Sequence, residues 1–170
     1  MNKLLKVLAA SALVATALVG CGKKDEGGAT TAAKYAKAGL GVVSTYSDGQ
    51  VNSTIAAVGL DADGKIQYCY LDVAQSTPAD EAKAKEKTKK ELQDEYGMKK
   101  ASGIQKEWFE QAAALEEYVV GKTAADVAKI ETEDKGDGHH TAVPKAGSDL
   151  AAGCTMDIGY FKTAIADAMK

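Results

Sequence analysis

Residues 42–73 constrain the fold most. Val42 to Tyr46, Val51 to Leu60 and Lys65 to Val73 favour strands, and short polar stretches separate them. The Asp61-Ala62-Asp63-Gly64-Lys65 link is a hairpin signal, because Asp and Gly tolerate the positive φ of tight turns. In the third run Cys69, Leu71 and Val73 alternate with Tyr68, Tyr70 and Asp72, so one face is apolar and the other mixed. Such a block predicts a small antiparallel sheet whose apolar face is covered by helices, an α+β domain. The two aspartates of the link are not read as a calcium loop, since the remaining ligand positions are missing.

The helical signals follow the strands. Thr77-Pro78 predicts the start of a charged helix over Ala79 to Tyr96, with threonine as N-cap, proline in the first turn and Gly97 just past the end. Its interleaved Lys and Glu read as a solvated face. Ile104, Trp108, Ala112, Leu115 and Val119 recur at helical spacing beside Phe109, and Gly121 ends the run. Thr123-Ala124-Ala125-Asp126 has the capping pattern of a short helix. Ile158, Phe161, Ile165 and Met169 form the stripe of a last helix, with Asp157 as its expected N-cap. Between them lies a polar, glycine-bearing loop with adjacent His139 and His140. Neighbouring side chains do not converge on one metal as residues at i and i+4 of a helix do, so no metal is expected there.

The N-terminus points to the compartment. Two lysines precede an apolar run, Val7 to Val19, that is too short for a membrane span, and Leu18-Val19-Gly20-Cys21 has the form of a bacterial lipoprotein cleavage box. The expected organisation is a signal peptide over 1–20, a flexible polar tether over 21–38 and a single domain over 39–170. Lipidated Cys21 would hold the protein on the extracytoplasmic face of the cell membrane, and more than one acyl chain makes such an anchor stable. Loss of the leader removes two lysines and no acid, leaving 19 basic and 24 acidic groups. That net charge of −5 argues against nucleic acid as a partner. Every basic residue apart from histidine is Lys, so no guanidinium clamp for a phosphate exists.

Asp149-Leu150-Ala151-Ala152-Gly153-Cys154-Thr155-Met156, just ahead of the last helix, combines an acid, small residues and one hydroxyl. A helix N-terminus suits a phosphate, because its first N–H groups lack internal partners and the dipole favours an anion. The stretch resembles the attachment motif of the FMN-binding domain family, in which an acid is followed by two variable residues and Ser/Thr-Gly-Ala-Thr. Asp149, Gly153 and Thr155 match, while Ala152 stands where the family has Ser/Thr and Cys154 where it has Ala. Gly97-Met98-Lys99-Lys100-Ala101-Ser102-Gly103-Ile104 leading into Trp108-Phe109 resembles the family's glycine-containing loop before an aromatic-bearing helix. The Tyr-Gly-Met-Lys-Lys-Ala-Ser run also resembles that of lipoproteins from Gram-positive anaerobes.

The resemblance implies an FMN-binding-like fold, FMN joined to Thr155 by a phosphoester that a separate flavin transferase makes, and a membrane redox partner. Asp149, Gly153, Cys154 and Trp108 would complete the cofactor site, with Trp108, Tyr160 or Phe161 flanking the ring. Trp108 also reads as an ordinary core residue of its helix. Thr155 has no base near it in sequence and is not expected to act as an autonomous nucleophile, so an electron-transfer or binding protein fits better than an enzyme. The small residues about Thr155 would leave room for the transferase, or else allow tight packing. Cys69 reads as a buried free thiol, or as half of an extracytoplasmic disulfide with Cys154. A cofactor-free surface binding lipoprotein that keeps only the fold is the other reading.

Overall fold

The strand block forms one antiparallel sheet in the order β1 (Lys37–Ser47), β2 (Gln50–Leu60), β3 (Ile66–Gln75). In this computed structural model the described residues are 34–47, 49–76 and 87–170, all within the unit Ala33–Lys170. The leader, Cys21 and most of the tether lie outside them. Among the described residues no helix is long and apolar enough to cross a membrane. β1 starts at Lys37 rather than Gly39, and the Ala36 N–H already donates to the Leu60 carbonyl at 2.8 Å, so the fold begins slightly before the expected boundary.

The hairpin between β2 and β3 turns as its residues predict. Asp61 Oδ1 accepts from the Asp63 and Lys65 N–H groups at 3.0 and 2.9 Å, and Gly64 takes φ +75°. That carboxylate is therefore consumed by the turn. The inner face carries Ala56, Val58 and Leu60 of β2 and Cys69, Leu71 and Val73 of β3, all buried. On the outer face Leu40, Val42 and Tyr68 remain exposed.

The expected helix over 79–96 is corrected in its described part. Helix α1 spans only Lys89–Leu92, begins at a capping box between Thr88 and Glu91, and passes into a 3₁₀ turn, Gln93–Tyr96, closed by Gly97 at φ 75°. Thr77 and Pro78 lie outside the described residues. α1 is pinned sideways: the Lys90 ammonium pairs with Glu116 and lies 4.0 Å from the Tyr70 ring centroid, while the Lys90 N–H donates to Asp72 at 3.0 Å. Helix α2 (Trp108–Val119) packs beside β3, and helix α3 (Ala124–Ala128) starts at the Thr123–Asp126 capping box read from sequence. A two-stranded ribbon, β4 (Thr132–Glu133) with β5 (Val143–Pro144), precedes a 3₁₀ turn at Leu150–Ala152 and the last helix, α4 (Gly159–Ala168).

α4 crosses the inner face of β1 and β2 with almost no side chain between backbones. A Cβ added at Gly39 would lie 1.7 Å from the Ala168 carbonyl oxygen, and one at Gly41 would lie 1.9 Å from that of Ala164. The Gly-Leu-Gly alternation thus leaves β1 bare where the helix rests and apolar where it does not. Phe161, Ala164, Ile165 and Ala168 of α4 join Leu115 and Val119 of α2 and the inner sheet residues in one core. Complete burial of such an aliphatic side chain contributes about 1.5–3 kcal/mol.

Candidate functional site

Towards the hairpin that joins β1 to β2 the inner face changes character. Val58 and Ala56 give way along the strand to Thr54 and Asn52, beside Thr45 of β1 and Gln75 of β3. Apolar side chains no longer fill the space between sheet and helices here. A cleft of about 910 Å³ opens, within the usual size range of ligand pockets. Its floor is this polar strand end. Its walls are the loop after Gly97, the 138–141 loop with Lys135, and the segment Thr155 to Phe161.

Thr155 and Trp108, from distant parts of the chain, meet in this cleft; Asp149, Gly153 and Cys154 do not line it. Thr155 is half-buried, and both its N–H and its hydroxyl donate to Gln111 Oε1, at 2.8 and 3.2 Å. Asp149 is exposed at the start of the 3₁₀ turn. Cys154 is 0% exposed and belongs to the core. A Cβ at Gly153 would come within 2.9 Å of the Ala114 Cβ, so this glycine allows close packing against α2.

Trp108 is a core residue that borders the cleft. It is 3% exposed, with Tyr96 at 6.5 Å and Phe161 at 6.1 Å between ring centroids. Neither arrangement leaves a broad indole face free for stacking. Tyr160 is the exposed aromatic of the same wall. The Lys89 ammonium lies 5.0 Å from the Tyr96 centroid and 5.9 Å from that of Trp108, which brings a cation to the aromatic rim.

The expectation at the helix start also needs correcting. Ile158, not Asp157, is the N-cap of α4. Asp157 still serves the terminus, because its Oδ1 accepts from the Gly159 N–H at 2.8 Å, so one first-turn donor is already committed to a carboxylate. The other oxygen accepts from the Thr141 and Ala142 N–H groups, each at 2.9 Å, and thereby ties the histidine loop to the Thr155 segment. His139 and His140, the chain's two histidines, both line the cleft. His140 Nδ1 sits 2.6 Å from Asp137 Oδ2, and the bonds from His140 and from the His139 and His140 N–H groups hold the Asp137 carboxyl well below the usual range. Among the described residues no group of His, Cys, Asp and Glu side chains is arranged to hold a metal.

Sequence reasoning missed Gln111 and the 138–141 wall. Gln111 lies on the buried stripe of α2, one residue before Ala112, and a polar residue at such a position is the signal that could have revealed it. Cys69 and Cys154 are both free and buried, so the disulfide is not formed. Burial pushes the Cys69 thiol up to about 12 and the Cys154 thiol up to about 11.

No family model matches the chain, and no solved structure matches it. It is similar to a protein named chlorophenol reductase from Desulfitobacterium hafniense, 34% identical over 123 residues, a match that covers 56% of this chain. The chain spans 38% of the length of that relative.

Proposed function

We propose that the protein is a membrane-anchored, extracytoplasmic lipoprotein whose domain carries FMN on Thr155 and passes electrons between a membrane donor and external acceptors. The observation that carries this reading is the cleft that Thr155 lines together with a polar sheet end, an exposed tyrosine, Lys89 and Lys135, the last paired with Glu133 at 2.7 Å. These groups fit the parts of FMN. Lysine charge suits the phosphate, Asn52 and Gln75 supply amides for the polar edge of the ring, and Tyr160 supplies an aromatic surface. When bound, the flavin supplies the electron chemistry, while the protein holds it and tunes its surroundings. The name of the relative is that of a reductase, in keeping with an electron-transfer role for the shared region.

The exposed outer sheet face, with Leu40 at 65% and Val42 at 50% exposure, favours a second reading in which the domain is a surface binding module without cofactor. Intact mass and the visible spectrum of protein from its native host, compared with Thr155→Ala, separate the two. The flavin reading requires a mass increase of one FMN with yellow absorbance, both lost in the variant. Unmodified, colourless protein that also fails to take up added FMN would overturn it.

A further inference from the structure

We infer that Gln111 is the positioning residue that prepares Thr155 for modification, an inference that rests on the flavin reading above. Gln111 is 0% exposed, yet its amide is fully used. Nε2 donates to Ser102 Oγ at 3.0 Å and to the Lys106 carbonyl at 3.2 Å, while Oε1 accepts from the Thr155 N–H at 2.8 Å and from the Thr155 hydroxyl at 3.2 Å. An amide offers two donors and two acceptor sites, and all four are matched. The partners determine which way it points, because the Lys106 carbonyl can only accept and the Thr155 N–H can only donate.

One consequence concerns the hydroxyl. Oε1 accepts and cannot donate, so the Thr155 proton is directed into the protein and the Oγ lone pairs are turned away from Gln111. A threonine free to rotate would spend part of its time with the proton in the way of an incoming electrophile, and side-chain positioning of this kind lowers the barrier to transfer. Gln111 also joins three separate parts of the cleft: the loop at Ser102, the start of α2 and the Thr155 segment.

The transfer balances without any redox change. Thr155 Oγ attacks the phosphorus of an activated flavin nucleotide, whose FMN phosphate is held in an anhydride bond. The Oγ–P bond forms, the anhydride P–O bond breaks and releases the second phosphate-bearing fragment, and the hydroxyl proton, kept on Oγ towards Gln111 until the new bond makes it strongly acidic, is then released to water. Gln111 touches neither phosphate nor flavin in this scheme. It acts through Thr155 alone.

The test measures the initial rate of FMN attachment by intact mass, using the mature protein, the host's flavin transferase and the activated flavin nucleotide. Four proteins are compared: the natural sequence, Gln111→Leu, Gln111→Glu and the control Leu115→Ala, which perturbs the buried stripe of the same helix without touching Thr155. Gln111→Leu should be slower by roughly tenfold, the effect of about one lost hydrogen bond. Gln111→Glu keeps an acceptor oxygen for Thr155 while losing the two Nε2 donors and should recover part of the rate, and Leu115→Ala should stay near the natural rate. Attachment to Gln111→Leu at the natural rate would overturn the inference and leave the flavin reading standing. Equal slowing of Gln111→Leu and Leu115→Ala would overturn it too, by exposing a general effect of weakened packing. Failure of the natural protein to accept FMN would overturn both.

Discussion

Cys69 and Cys154 show what burial does to a reactive group. Burial strips the water from a thiolate by more than the nearby lysines offset, so both thiols stay protonated well beyond the ordinary 9.0, to about 12 and about 11. In a Cys21→Ser background, neither should react with an aromatic disulfide reagent in native buffer at about pH 8, and both should react in denaturant. The pH effect has a definite sign. The folded pKa values lie above the unfolded one, so the stabilisation from neutral thiols is complete below pH 9 and is lost as pH rises from there through 11 to 12. The urea midpoint should therefore fall from about pH 8 to about pH 10.5 by more in this background than when both buried cysteines are also replaced by alanine. An equal fall in both proteins would show that other groups control alkaline stability. Burial of Cys69 was legible from the alternation in β3, whereas burial of Cys154 and the bonds of Gln111 were not, because helical and loop spacing do not show which polar or thiol group packs across from another element.

At the scale of elements, the contact between α4 and β1 is the least tolerant of change. Gly41→Ala forces a methyl group into the Ala164 carbonyl, so strand or helix must shift; overpacking of this kind costs about 1–3 kcal/mol or more. Val42→Thr, one residue away on the exposed face, should stay within about 0.5 kcal/mol of the natural protein. Denaturant melts of the two variants test the assignment of inner and outer faces, and similar midpoints would refute it. The strand periodicity foretold two distinct faces. It did not foretell that glycines, rather than large apolar residues, would mark the inner face of β1, since a glycine carries no hydrophobic signal. In the described part of the expected 79–96 helix, alternating Lys and Glu favour helix, yet Thr88 stands in extended backbone and caps the short helix that follows it with its own side chain.

For the whole molecule, the proposed function makes the cleft the place where bound flavin would couple to folding. The cleft is walled by segments from all parts of the domain, so FMN bound there should raise the unfolding free energy by mass action. At a free concentration one hundred times the dissociation constant the gain is about 2.7 kcal/mol. Thermal melts of unmodified Thr155→Ala protein with increasing FMN measure this directly, since that variant cannot form the ester. A melting temperature independent of FMN would show that the cleft does not hold the nucleotide on its own.

From the sequence alone came the antiparallel block, the Asp61–Lys65 hairpin, the capped short helix at Thr123 and the apolar stripes of the later helices. These are local properties, written in alternation, helical spacing and turn chemistry over a few neighbouring residues. Only the tertiary structure brought Thr155 to Gln111, 44 residues away in the chain, and set His139 and His140 in the same cleft as Trp108 and Tyr160. It also separated Thr155 from its own neighbours, turning Cys154 into the core and leaving Asp149 outside. Which side chains of a loop face a cleft depends on how distant helices pack across a sheet, and no local pattern in the chain encodes that packing.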